Sequence, residues 1–121
     1  MEKQTFSGNY EADIASLNLR LRVSESFDLV SRQIMIGSHR AMLWFIDGFI
    51  KDGLMEKIMS FMMNADEKKL KTVGTTREFA DAFVPYVETE VVNDFDRFET
   101  FLFSGALGMI VDGFKEAIII D

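Results

Sequence analysis

The sequence predicts an α+β domain in which a mixed sheet of four or five strands, two β-hairpins among them, is packed by about four helices. Three observations carry this expectation. Two short apolar runs, Ala41 to Ile46 and Leu107 to Val111, each end in Asp-Gly, and runs of that length suit strands covered on both faces better than helices. Around them, apolar residues recur at three- and four-residue spacing, as they do on the buried stripe of a helix. Turn residues at Gly37 to Arg40 and at Asp112-Gly113 join neighbouring β-rich segments as hairpins.

The chain has 121 residues, enough for one domain with one core. Residues 1–9 are polar and glycine-containing and read as a flexible terminus, which leaves 10–121 as the single domain. The sequence contains no cysteine, so disulfides, thiol nucleophiles and Cys-based metal sites are excluded. His39 is the only histidine, which leaves little material for a His-based triad or a His-rich metal site. A net charge of −7 argues against nucleic acid and anionic membranes as partners, because phosphate binding needs clustered Lys and Arg. Lys68, Lys69 and Lys71 form the one basic cluster, and a solvated loop explains it. Neither a signal peptide nor an apolar run near the ~20 residues of a membrane span is present, so a soluble cytoplasmic piece is expected.

Taken in order, Ile14, Leu17 and Leu21 place a helix over about Glu11 to Val23. Phe27 to Ile36 alternates roughly and reads as a strand, followed by the turn Gly37 to Arg40 and the strand Ala41 to Ile46. His39 falls in that turn as an exposed loop residue, and Trp44 falls in the core. After the turn Asp47-Gly48, Leu54, Met55, Ile58, Met59, Phe61, Met62 and Met63 cover about 200° of a helix. That arc is wider than one sheet contact requires. Ordinary core is the favoured reading, with a partner surface at Met55, Met59, Met62 and Met63 as the other, since Met adapts well to partners. Asn64 to Gly74 reads as a charged connector. Thr75 and Glu78 have capping-box spacing, Phe79, Ala82 and Phe83 share a helical face, and Pro85 stops that helix. Tyr86 to Val92 then reads as an edge strand with Glu88 and Glu90 on its wet face. Asn93 is placed to cap a helix bearing Phe95, Phe98, Phe101 and Leu102, and Gly105 and Gly108 lead into Leu107 to Val111. Asp112-Gly113 turns the chain into the last strand, Lys115 to Ile120, and the aliphatic ending reads as a junction with something that continues.

Sequence motifs for nucleotide binding, zinc proteolysis or serine hydrolysis are absent. Two carboxylate groupings remain. Glu88, Glu90, Asp94 and Asp96 lack the order of a calcium loop, and an edge strand entering a helix cap explains them without metal. Asp47 and Asp112 would emerge at one sheet edge if their strands ran parallel, where acid/base chemistry or a small-molecule pocket is conceivable. Two Asp-Gly turns need no such role, so no catalytic, cofactor-binding or metal residue is assigned, and no cofactor is expected.

The segments FDLVSRQIMIG (Phe27 to Gly37), AMLWFIDGFIKDGLMEKIM (Ala41 to Met59) and PYVETEVVNDFDRFETFLFSGALGMIVDGFKEAIIID (Pro85 to Asp121) resemble the amino-terminal soluble domain of GerA-type spore germination A subunits. The stage V sporulation AF branch is nearest in pattern. The resemblance runs from about Ser26 to Asp121 and is poorest over Ala65 to Thr75. It implies a cytoplasmic domain at the inner spore membrane, the first subdomain of a longer chain whose membrane helices lie further on. It also implies oligomers that act with other germination subunits in nutrient-triggered ion release, with the membrane reached only through that later part. The family offers no catalytic residue to carry over. Asp47, Gly48, Asp112 and Gly113 match its positions as fold-defining turns.

Overall fold

The structure is a computed structural model that describes residues 4–21, 28–48, 52–83 and 88–120, with the helical backbone alone over 52–55. The described residues form five helices and five strands: α1 (Tyr10–Leu21), β1 (Leu29–Ile36), β2 (His39–Ile46), α2 (Asp52–Met63), α3 (Glu67–Leu70), α4 (Thr76–Phe83), β3 (Thr89–Val92), α5 (Phe95–Phe103), β4 (Leu107–Val111) and β5 (Ala117–Ile120). The α+β class and both hairpins stand as the sequence predicts.

The strands make one sheet in the order β1-β2-β4-β5-β3. Every described pairing is antiparallel, including β2 with β4, where Ala41 faces Val111 and Trp44 faces Gly108. The expected parallel element of a mixed sheet is therefore corrected. The helices between β2 and β4 do not form a simple crossover, because the chain first runs to the far edge, lays down β3 and returns through α5.

Strand periodicity sorts the core into two halves. On one face Ile34, Ile36, Leu43, Met109 and Ile118 meet Ile58, Met62, Leu70, Phe79 and Phe83 from α2, α3 and α4. On the other, Trp44, Ile110 and Ile119 meet Leu17, Phe95, Phe98 and Leu102 from α1 and α5. β4 and β5 are buried on both faces, which is why their sequences are unbroken apolar runs. Phe98 packs edge-on against Trp44 at 5.6 Å, over Gly108, where a Cβ would lie 2.3 Å from the Phe98 ring. That glycine is there for close approach rather than for turning.

Local chemistry explains most boundaries. The capping box closes as predicted, with Thr75 N–H donating to Glu78 Oε1 (3.2 Å) and Glu78 N–H to Thr75 Oγ1 (3.1 Å). α5 is capped by Asp94 rather than Asn93: Asp94 accepts from Arg97 N–H at 2.8 Å with an extended backbone. The charged connector contains a short helix, α3, because Asp66 caps it and Leu70 reaches the core. Pro85 and the proposed start of the edge strand lie outside the described residues, while Thr89–Val92 does lie at the sheet edge.

The described part of the amino-terminal segment, residues 4–9, lies against the domain. Thr5 bridges to Asp94 and Phe6 is buried against Phe95 and Phe98. The buried carboxylate of Asp13 accepts from Ser7 Oγ (2.8 Å), Ser7 N–H and Gly8 N–H, which ties residues 5–8 to α1.

Candidate functional site

Three places deserve weighing as sites: the methionine helix, the two Asp-Gly turns and the carboxylates around β3. In α2 the helical period divides the methionine arc sharply. Met62 is fully buried and Met59 nearly so, both against the sheet, whereas Met63 is 52 % exposed and Phe61 42 %. The side chain of Met55 lies outside the described residues. Of the four methionines expected at a partner surface, the described structure thus gives two to the core and leaves Met63 on the outside.

Beside this helix lies a groove of about 1150 Å³ between α2, α3 and α4. Phe61, Ala65, Ala82 and Phe83 line its apolar part, and Lys57 and Lys69 stand among its polar lining. The Lys69 ammonium lies 5.7 Å from the Phe83 ring centroid, at cation–π distance. α3 creates this wall out of the segment that the sequence presents as a charged connector, so the groove is not legible in the sequence.

The Asp-Gly turns occupy opposite ends of the sheet, a direct result of antiparallel β2 and β4. Asp47 N–H donates to the Asp28 carbonyl (2.7 Å), and Asp112 N–H to that of Arg40 (2.7 Å). One pocket cannot use both carboxylates, and the shared-edge expectation is overturned. In both turns the glycine is left-handed: Gly48 and Gly113 have φ of 89° and 97°, which glycine adopts without strain.

The Asp112 end carries a polar cluster that sequence reasoning missed. Arg40 donates through Nε (3.1 Å) and Nη2 (2.9 Å) to Asp112 Oδ2, and through Nη1 to Glu11 (3.1 Å). These bonds to Glu11 and Asp112 hold the guanidinium even more firmly protonated than usual. Its carbon sits 4.7 Å from the Tyr10 ring centroid, and Tyr10 Oη–H donates to Gln33 Oε1 at 3.0 Å. Burial pushes the Tyr10 pKa up to about 12, against the pull of Arg40 and with a smaller push from Asp112. His39 is not a free loop residue. It opens β2, its Nδ1 lies 2.8 Å from the Asp112 carbonyl oxygen, and its ring tilts over Phe114. The only advance signal was the adjacency of a His-Arg pair to a hairpin turn. The cluster clamps α1 and the β1–β2 hairpin to the β4–β5 turn, with its charges already paired to one another.

The carboxylates near β3 disperse. Asp94 is a helix cap, Glu90 pairs with Arg97, Asp96 pairs with Arg20, and Glu88 is exposed. Among the described residues no group of three or more such side chains is placed to hold a metal ion. No described helix is long and apolar enough to cross a membrane.

Comparison with known proteins gives a consistent result. The family model described as Bacillus/Clostridium GerA spore germination protein matches residues 17–121. Among solved structures, the chain is similar to the crystal structure of the N-terminal domain of the A subunit of the Bacillus megaterium spore germinant receptor GerK3. The TM-score is 0.78 at 16 % identity over 100 % of this chain and 49 % of that one. The likeness is one of fold, and this chain spans about half the length of that structure. No curated protein matches.

Proposed function

The chain belongs to the Bacillus/Clostridium GerA spore germination family, and from that premise we propose that it is a non-enzymatic cytoplasmic assembly or regulatory domain of a spore germination membrane protein. Its place is the cytoplasmic face of the inner spore membrane, beside other germination subunits or further copies of itself, in the step that couples a nutrient signal to ion release. The observation that carries this reading is the outer face of α2. Met63 is half exposed on a helix whose inner methionines are core, and an adaptable apolar side chain in that position suits a partner. The separation of Asp47 from Asp112 supports the non-enzymatic part, since no acid/base pair is assembled from them.

The test uses the whole protein in spores. Met63→Glu is expected to leave its abundance unchanged while slowing nutrient-triggered germination and reducing recovery of partner subunits with it. Normal germination and recovery with this variant would overturn the assembly reading.

A second reading is favoured by the groove between α2 and α4: a small-molecule regulatory domain, with its ligand there rather than beside the Asp-Gly turns. A metabolite that raises the melting temperature, and ceases to do so in Phe83→Ala, would support it, because only a binder of the native state stabilises in this way.

A further inference from the structure

We propose that two copies of this chain pair antiparallel along β1, about a two-fold axis at Ser31, to make a continuous ten-stranded sheet. This narrows the assembly reading above by naming a second copy as the partner and an edge strand as the contact surface.

β1 is the longer of the sheet's two edge strands, eight residues against four for β3. Its ladder with β2 determines which backbone groups are free. Asp47 N–H bonds the Asp28 carbonyl, and inward-bonding residues alternate along an antiparallel strand. Val30, Arg32, Ile34 and Ile36 therefore bond to β2, while Leu29, Ser31, Gln33 and Met35 turn N–H and C=O outward. Among the described residues nothing hydrogen-bonds to those outward groups. An open edge is a template for another strand, and natural edges are commonly blunted by proline, a bulge or several charges. Between Leu29 and Ile36 there is no proline, the register is unbroken, and Arg32 is the one charge.

Arg32 also indicates the register. Five arginines are described; Arg20, Arg40, Arg77 and Arg97 are in ion pairs, and Arg32 is exposed without one among the described residues. Asp28, also exposed and without a side-chain partner there, lies on the same face four residues away. That separation is about 13 Å along a strand, too far to bridge within the chain. A two-fold at Ser31 sets Arg32 opposite the second copy's Val30 and diagonal to its Asp28, about 7–8 Å between backbones and within an arginine's reach. The symmetry makes two such pairs. Arg32 is diagonal to its own copy at the same spacing, so one like-charge pair stands against the two opposite-charge pairs, and Ser31 meets its own copy, as an isologous contact requires. The depression beside Arg32, lined also by Met59 and Met63, adjoins this axis, so pairing adds apolar cover on the α2 side. With five residues of each strand paired, the contact belongs to the weak class, below about 1,200 Å².

The experiment is sedimentation equilibrium of the chain from micromolar to millimolar concentration, with amide hydrogen exchange alongside. The expected result is a monomer–dimer equilibrium in which the Ser31 and Gln33 amides become protected as concentration rises. Ser31→Pro should abolish the dimer with little change in folding, because the N–H it removes points away from β2. Arg32→Asp should weaken the dimer about tenfold, and the exchange Asp28→Arg with Arg32→Asp should restore it. A monomer throughout, a dimer indifferent to all three variants, or a failure of the double exchange to restore what the single variant loses would overturn the proposal. Any of these leaves the Met63 experiment standing, since that one reads germination and partner recovery in the whole protein.

Discussion

Gly108 shows how one missing side chain decides a core. An added methyl would meet the Phe98 ring at 2.3 Å, and that ring is fully buried and already packed against both Trp44 and Phe6. Gly108→Ala should therefore cost about 1–3 kcal/mol in denaturant unfolding, the range for overpacking. A smaller loss would mean that the ring shifts freely. Tyr10 supplies a pH signature at the same scale. Its folded pKa of about 12 exceeds the ordinary value of 10, so above pH 10 the unfolded chain releases the phenolic proton more readily than the folded one. The stability this proton supports is complete below pH 10 and is lost as the pH rises towards about 12. Tyr10→Phe should flatten that part of a stability–pH profile, whereas an unchanged slope would place the phenol in water.

At the scale of elements, caps and faces dominate. α5 is nine residues long, and its amino-terminal donors lean on the Asp94 carboxylate. Asp94→Ala should cost about 0.5–2 kcal/mol, and Asn93→Ala much less, which separates the observed cap from the one that sequence order suggested. The distinction arises because Asp94 also receives Thr5 in a β-bridge, which holds it extended at the helix entrance. α2 is a helix whose pattern is legible while its use is not. The 3.6-residue period shows a wide apolar arc, but which methionines reach the sheet follows from the rotation at which the helix docks.

For the whole molecule, one sheet serves two cores. Trp44 faces α1 and α5, and Met62 lies on the opposite side against β-strand residues of the other cluster. Because β2, β4 and β5 contribute to both faces, neither half should survive loss of the other. Met62→Ala should cost about 2–5 kcal/mol, and Trp44 fluorescence should report the full shift in a single transition coincident with circular dichroism. A Trp44 transition left in place would show that the two layers unfold separately.

The sequence by itself determined the class, the strands, the hairpins and the capping box, because these rest on spacing within a few residues: alternation, turn chemistry and reciprocal caps. It also carried the family, through the segments around the two Asp-Gly turns. Only the tertiary structure decided what lies beside what. The antiparallel pairing of β2 with β4 sent Asp47 and Asp112 to opposite ends, α3 folded out of a charged connector once Leu70 found the core, and Asp13 bound residues 7 and 8. His39, Arg40, Glu11, Tyr10 and Asp112 met from three parts of the chain. Such pairings depend on long-range packing, and no local pattern encodes the partner across a gap of 72 residues, as between Arg40 and Asp112.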